Sequence, residues 1–158
     1  MNTEDKVFQG YKTPRYRWSM RNDFTIHKNF TVSFTMYSYF GHYGAFNEAA
    51  NYNGGSPYKF SSYDLPRWTK DNPTNDYARI SSYNAGTNWV KKSFLRLDNV
   101  SVSYNLPKSF LRKFAIQNMR LTLTARNVAV LSPHWTFWDP ENGSLSPRSF
   151  NLGINFTL

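Results

Sequence analysis

The stretch YRWSMRNDFTIHKNFTVSFTMYSYF, residues 16–40, alternates in two phases. Tyr16, Trp18, Met20, Asn22, Phe24 and Ile26 fall on one parity, and Arg15, Arg17, Ser19, Arg21, Asp23, Thr25 and His27 fall on the other. A two-residue period is that of a strand, whose successive side chains leave opposite faces. After His27-Lys28-Asn29 the pattern restarts. Phe30, Val32, Phe34, Met36, Ser38 and Phe40 are opposed by Thr31, Ser33, Thr35, Tyr37 and Tyr39. Two such runs about a polar triplet predict a long hairpin with a tight turn.

Further along, residues 41–93 lose the alternation in a segment rich in Asn, Ser, Tyr, Gly and Pro, long for a structureless loop in a compact domain. Alternation returns with Val100, Val102 and Tyr104 against Asn99, Ser101, Ser103 and Asn105. Leu95 and Leu97 sit on the wrong parity for that face, which implies a bulge near Asp98 or a later strand start. Leu106-Pro107 ends the strand. Phe110, Leu111, Phe114 and Ala115 are spaced for a short amphipathic helix over Lys108 to Gln117. Met119, Leu121, Leu123 and Ala125 then alternate with Arg120, Thr122, Thr124 and Arg126. A second irregular loop covers 131–147, and Phe150, Leu152, Ile154, Phe156 and Leu158 close the chain against Ser149, Asn151, Gly153, Asn155 and Thr157. The reading is all-β, with strands at about 15–26, 30–40, 99–105, 118–128 and 148–158.

A half-buried soluble sheet also alternates, so parity alone leaves the environment of the apolar face open. Runs of roughly nine to eleven residues match a tilted membrane strand better than a soluble one. No charge falls on the apolar parity, as expected where a midplane Lys or Arg costs about 2–4 kcal/mol. Rings gather near the ends of that face: Tyr16, Trp18 and Phe40 at one end, Phe24, Phe30, Tyr104 and Phe156 at the other. With the chain end on the periplasmic side, the turns at 27–29 and 106–117 are periplasmic, and the loops at 41–93 and 131–147 are both extracellular, the asymmetry of an outer-membrane barrel. Five strands cannot close such a barrel, and open edges in lipid leave backbone groups unsatisfied, so the chain is expected to be part of something larger.

Composition narrows the rest. Lys and Arg number 19 against 10 Asp and Glu, but the charge is scattered without a recognition-module motif, so no nucleic-acid partner is expected. The absence of Cys removes disulfides, thiolate metal sites and cysteine nucleophiles. The longest apolar run, Val128 to Leu131, is too short for a membrane helix. No secretion signal is read at the N-terminus. His27, His42 and His134 lack metal-site spacing and read as surface residues, leaving no metal and no cofactor expected. Asp139 and Glu141 sit two apart beside Pro140, which suits loop folding rather than a hydrolase pair. Four Asn-x-Ser/Thr triplets read as chance, two of their Asn lying within strands. Without a phosphate loop or nucleophile elbow, nothing points to an enzyme.

Several stretches are also specific as words. Ser93-Phe94-Leu95-Arg96-Leu97-Asp98-Asn99-Val100, continuing to Tyr104-Asn105-Leu106-Pro107, resembles the signature near the end of SusC/RagA-type TonB-linked (TonB-dependent) outer-membrane transporters. Arg126-Asn127-Val128, Asp139-Pro140-Glu141 and Pro147-Arg148-Ser149-Phe150-Asn151-Leu152-Gly153 resemble later elements of that family, in its order. Gly10 to Arg15, Phe30 to Phe40, and Trp68 with Asn72-Pro73 fit more loosely. The resemblance implies the five C-terminal antiparallel strands of a large, 22-stranded transmembrane β-barrel, incomplete on its own. It also implies a plug domain that is absent from this chain, a SusD-like surface lipoprotein lid, and energy from TonB through the missing N-terminal part. The imported substrate would be a glycan or a peptide. Leu158 departs from the aromatic residue with which the family ends, and the loop after Asp139 is short.

In that frame Arg15, Arg17, Arg21, Arg120 and Arg126 face the lumen, with Asp23 the main counter-charge, and pairing with plug and neighbouring strands is preferred to substrate steering. Phe30, Val32, Phe34, Met36, Phe40, Leu121, Leu123, Phe150, Leu152, Ile154 and Phe156 face outer-membrane lipid. Trp68, Tyr77, Trp89, Trp135 and Trp138 are the candidates for substrate or lid contact, although loop packing is the plainer role for any one of them. The alternative is a soluble β-sheet carbohydrate-binding or interaction module.

Overall fold

The computed structural model describes residues 7–46, 65–77 and 88–158. The chain divides into two units, Met1–Thr13 with His42–Lys91, and Pro14–Gly41 with Lys92–Leu158. The second unit is a five-stranded antiparallel sheet in the order β1-β2-β5-β6-β7: β1 Tyr16–Ile26, β2 Phe30–Phe40, β5 Phe94–Asn105, β6 Asn118–Leu131 and β7 Ser149–Thr157. The sheet is not closed, and β1 and β7 are its two edges.

Register carries the sequence pattern across all five strands. Phe24 lies opposite Val32, Val32 opposite Val102, Val102 opposite Leu123, and Leu123 opposite Leu152. One row on one face is therefore wholly apolar. The row next to it on the other face runs Thr25, Thr31, Ser103, Thr122 and Gly153. Hydroxyl pairs stitch that polar face across β5 and β6, Ser101 to Thr124 at 3.2 Å and Ser103 to Thr122 at 3.1 Å. The apolar face is left uncovered: Phe150 and Leu152 are 72% and 71% exposed. Transfer of such area from water is worth about 25 cal/mol per Å², so a face of this kind calls for an apolar medium or a partner.

The parity slip at Leu95 and Leu97 is a bulge, and β5 begins at Phe94 rather than near Asn99. Against β2 the register passes from Thr35 opposite Asn99 to Met36 opposite Leu97, leaving Asp98 without a partner. The extra residue turns Leu97 and Leu95 onto the apolar face beside Met36 and Ser38, and Arg96 and Phe94 onto the polar face beside Tyr37 and Tyr39. On the other side Asn127 and Val128 lie opposite the bulge, and Asn127 takes a positive φ of 53°. Strand β6 runs three residues beyond the expected 128 because its pairing with β5 resumes above this point.

The two short connections differ. The β1–β2 turn puts His27 and Lys28 in left-handed conformation, φ 49° and 63°. Between β5 and β6, helix α1 spans Lys108–Leu111 and tightens to a 3₁₀ turn over Arg112–Phe114. It is shorter than the expected 108–117 because Ala115 turns left-handed at φ 54° and ends it.

In the first unit, the segment expected to be irregular opens and closes with a small hairpin-like pair. Strand β3, Tyr43–Phe46, lies antiparallel to β4, Asn88–Lys91. The Tyr43 N–H donates to the Tyr11 carbonyl at 2.8 Å, and at Gly10 a Cβ would run into the Tyr43 ring. His42 is buried, unlike the surface histidine expected there. Much of the 41–93 loop lies outside the described residues.

Candidate functional site

One polar cluster in the second unit is built from four separate parts of the sequence. Strand β2 supplies Tyr37, the segment of β5 above the bulge supplies Arg96, the turn in β6 supplies Asn127, and the β6–β7 loop supplies Asp139 and Glu141. Arg96 Nη2 donates to Asp139 Oδ1 at 2.8 Å and Oδ2 at 2.6 Å, and Nη1 donates to Asn127 Oδ1. Both charged side chains are nearly sealed from solvent, Arg96 at 4% and Asp139 at 5%. The Tyr37 hydroxyl donates to Glu141 Oε2 at 2.7 Å, and the same oxygen lies 3.4 Å from Arg96 Nε.

The loop completes the carboxylate's shell. Backbone N–H groups of Glu141 and Asn142 donate to Asp139 Oδ1 at 2.9 and 3.2 Å, an Asx-type turn that folds the loop around its own acid. The Gly143 N–H donates to the Asp139 carbonyl at 2.9 Å with Gly143 at φ 67°, so the chain reverses at a residue suited to left-handed geometry. Burial pushes the Asp139 carboxyl up, but the Arg96 hydrogen bonds and the two loop amides outweigh it and hold it below its ordinary value. Asp139 is thus kept ionised and occupied, and Glu141 accepts the hydrogen bond of the Tyr37 hydroxyl. The arrangement is a clasp that fastens the 132–148 loop to the upper ends of β2, β5 and β6.

Rings pack beside the clasp. Tyr37, Tyr39 and Phe94 form a cluster with centroids 5.3–6.0 Å apart. Trp135 is buried, donates its Nε1–H to the Trp138 carbonyl at 3.0 Å, and lies edge-on to Phe137 with Lys92 Nζ 4.9 Å above its ring. A shallow cavity of about 330 Å³ lies among Asn127, Trp135, Phe137, Trp138 and Asp139. A second, of about 310 Å³, is bordered by Tyr37, Arg96, Asp98 and Glu141.

The five aromatic candidates separate by environment. Trp135 is spent on packing its own loop, whereas Trp138 stays exposed nearby. In the first unit Trp68 and Trp89 are exposed and Tyr77 is half-buried; the Trp68 N–H donates to the Tyr77 carbonyl at 2.9 Å, and Trp89 lies opposite Ala45. The arginines Arg17, Arg21, Arg120 and Arg126 are exposed and share the polar side of the sheet, and Arg15, also exposed, lies just before β1. Arg21 pairs with Asp23 at 3.1 Å, and Arg17 lies 5.0 Å over the Tyr39 ring. Phe30, Val32, Phe34, Met36, Phe40, Leu121, Leu123, Phe150, Leu152, Ile154 and Phe156 share the opposite side. The clasp itself is missing from the sequence candidates. Its one local signal is the parity slip, which puts Arg96 on the polar face.

No protein-family model matches the chain. TonB-dependent receptor P3 of Formosa agariphila is 28% identical over 167 residues, covering 99% of this chain and 16% of that protein. TonB-dependent receptor P26 of the same organism is 25% identical over 189 residues, covering 100% and 18%. The chain therefore spans less than one fifth of the length of these curated relatives. Among solved structures, the RagAB peptide importer in its open-open state matches with a TM-score of 0.72 at 22% identity, over 96% of this chain and 18% of that one. The closed-closed state gives 0.61 at 24% identity, over 82% and 16%. In sequence the chain is similar to a segment of TonB-dependent receptors and in fold to a segment of the RagAB importer, the kind of transporter that the motifs from Ser93 onward resemble.

Proposed function

We propose that this segment of SusC/RagA type forms the last five strands of a 22-stranded outer-membrane barrel, and that its work is to be barrel wall and extracellular loop in a nutrient importer. The observation that carries the reading is the continuous apolar face from β1 to β7, exposed and flanked by two unpaired edges. A soluble module has no use for either feature, since the face invites aggregation and the edges invite pairing. In a barrel the face meets lipid and the edges meet further strands. Residues 41–93 and 131–147 then lie outside the cell, and the polar face with its five arginines lines the lumen.

The imported substrate is a glycan or a peptide, captured under a SusD-like lipoprotein, with TonB engaged through parts of the transporter outside this chain. The chain contributes no catalysis. The exposed rings of Trp68, Trp89 and Trp138, with Tyr77, are its contact candidates for substrate or lid, while Trp135 supports the loop beneath.

The test is a pair of neighbouring substitutions in the intact transporter. Phe34→Arg puts a cation on the apolar face at a cost of about 2–4 kcal/mol and blocks assembly of the heat-modifiable barrel. Thr35→Arg, opposite Arg21 and Asn99 on the polar face, assembles normally. Equal loss at both positions overturns the lumen and lipid assignment.

A further inference from the structure

The connection from β5 to β6 holds chemistry that a barrel wall does not need. Three residues suffice to join β1 to β2, yet from Leu106 to Gln117 the chain builds a helical turn that turns Leu111 inward, at 1% exposure, and shows two rings outward. Phe110 and Phe114 are 51% and 60% exposed, with centroids 5.5 Å apart. Lys108, Arg112 and Lys113 stand among them, and no acidic residue occurs between Asp98 and Asp139. None of the three cations has an ion-pair partner among the described residues. Lys108 and Arg112 border a cavity of about 350 Å³ with Ala115, Ile116 and Gln117. The neighbouring turn, tied to this one by the Asn105 N–H donating to the Asn29 carbonyl at 2.8 Å, adds Lys28.

Exposed rings beside unpaired cations are the composition of a segment that rests in a bilayer interface, where rings settle at the boundary and cations meet lipid phosphate. We propose that the 106–117 turn is a binding site for an anionic phospholipid of the periplasmic leaflet, its phosphate held between Lys108 and Arg112 and its chains against Phe110 and Phe114. The inference rests on the barrel-wall reading, which puts this turn at the periplasmic side. The rings favour a lipid over a soluble phosphate, because a soluble anion gives them nothing to bury. Arginine suits the role, since its planar fork matches phosphate oxygens in pairs.

The test uses the intact transporter in nanodiscs of phosphatidylcholine carrying spin-labelled phosphatidylglycerol or spin-labelled phosphatidylcholine, and reads the motionally restricted fraction of each. A surface cation shifts anionic lipid binding by roughly fivefold. The wild-type protein should restrict phosphatidylglycerol more strongly, and the Lys108→Gln/Arg112→Gln/Lys113→Gln variant should lose at least about fivefold of that preference. If the triple variant does not reach the heat-modifiable form, Arg112→Gln alone serves for the same comparison. An unchanged preference in an assembled variant overturns the proposal. Preference erased by millimolar inorganic phosphate, but not by chloride at matched ionic strength, assigns the cavity to a soluble anion and also overturns it. Absence of restricted lipid of either kind sinks the barrel-wall reading and this inference with it.

Discussion

The two ends of the five-stranded sheet are closed by different physics. At one end the 132–148 loop is fastened by buried charge, Arg96 to Asp139, with Tyr37, Asn127 and Glu141 around it. At the other, the 106–117 turn is fastened by backbone: the Leu106 N–H donates to the Met119 carbonyl and the Gln117 N–H to the Thr157 carbonyl, each at 2.9 Å, with Leu111 as its one buried side chain. The β6–β7 loop has little regular hydrogen bonding of its own, so ordering it costs conformational entropy that specific side-chain contacts must offset. A helical turn satisfies most of its backbone internally and needs only a hydrophobic foot. Charge therefore gives the loop one well-defined seat, at the risk that losing Arg96 or Asp139 leaves the other ion buried alone.

That asymmetry can be broken at either end of the intact transporter. The largest effect is expected from Arg96→Ala, which strands the Asp139 carboxylate and should destabilise the seated loop by about 3–5 kcal/mol, as when one side of a buried pair is removed. Amide hydrogen exchange over 132–147 reads it, and protection equal to the wild-type protein would mean that the clasp does not hold the loop. Acid is the reversible version. The Asp139 carboxyl is held below its ordinary value, so its contribution is fully present above the unfolded pKa of about 4 and is lost as pH falls through the lower folded value. Exchange protection of the loop should fall in that window, and that of the 106–117 turn should not follow it.

At the turn the expected effects are smaller. Leu111→Ala should cost about 2 kcal/mol, the low end for a buried leucine because so short a turn collapses readily around the gap. Exchange over 106–117 should rise while 132–147 stays protected; a shared response would join two closures that are separate here. Smallest and opposite in sign is Ala115→Gly. A left-handed φ of 54° strains alanine, and glycine should tighten the end of the helix by up to about 1 kcal/mol, visible as slower exchange at Ile116 and Gln117.

How much of this was legible in the sequence follows the same division. The strands were readable because alternation is local: Phe30 to Phe40 declares its two faces without reference to any other segment. The helical turn was readable for the same reason, although its stop at Ala115 was not, since alanine gives no sign of a left-handed conformation. The small β3–β4 pair escaped because four residues at each end of a long loop carry too little pattern to register. The clasp is non-local in every part. Arg96 is separated from Asp139 by 43 residues and Tyr37 from Glu141 by 104, so no window of sequence contains both partners. The parity slip at Leu95 and Leu97 pointed to a bulge. The further step, that Arg96 then shares a face with Tyr37, needs the pairing of β2 with β5.

The bulge at Asp98 resembles a shift of reading frame. On either side of it strand β5 spells the same two-faced message, and only the phase differs. Loss of that one residue would bring Leu97 next to Asn99 in ordinary alternation, keeping Arg96 beside Tyr37 and Leu97 beside Met36. Gain of a residue there, with the strand made regular throughout, would also keep Arg96 on the polar face, but two positions along β2, opposite Tyr39 instead of Tyr37 and out of register with the clasp. Length variation at this point is therefore one-sided for the clasp: loss of a residue leaves Arg96 in its seat, and gain of one carries it past.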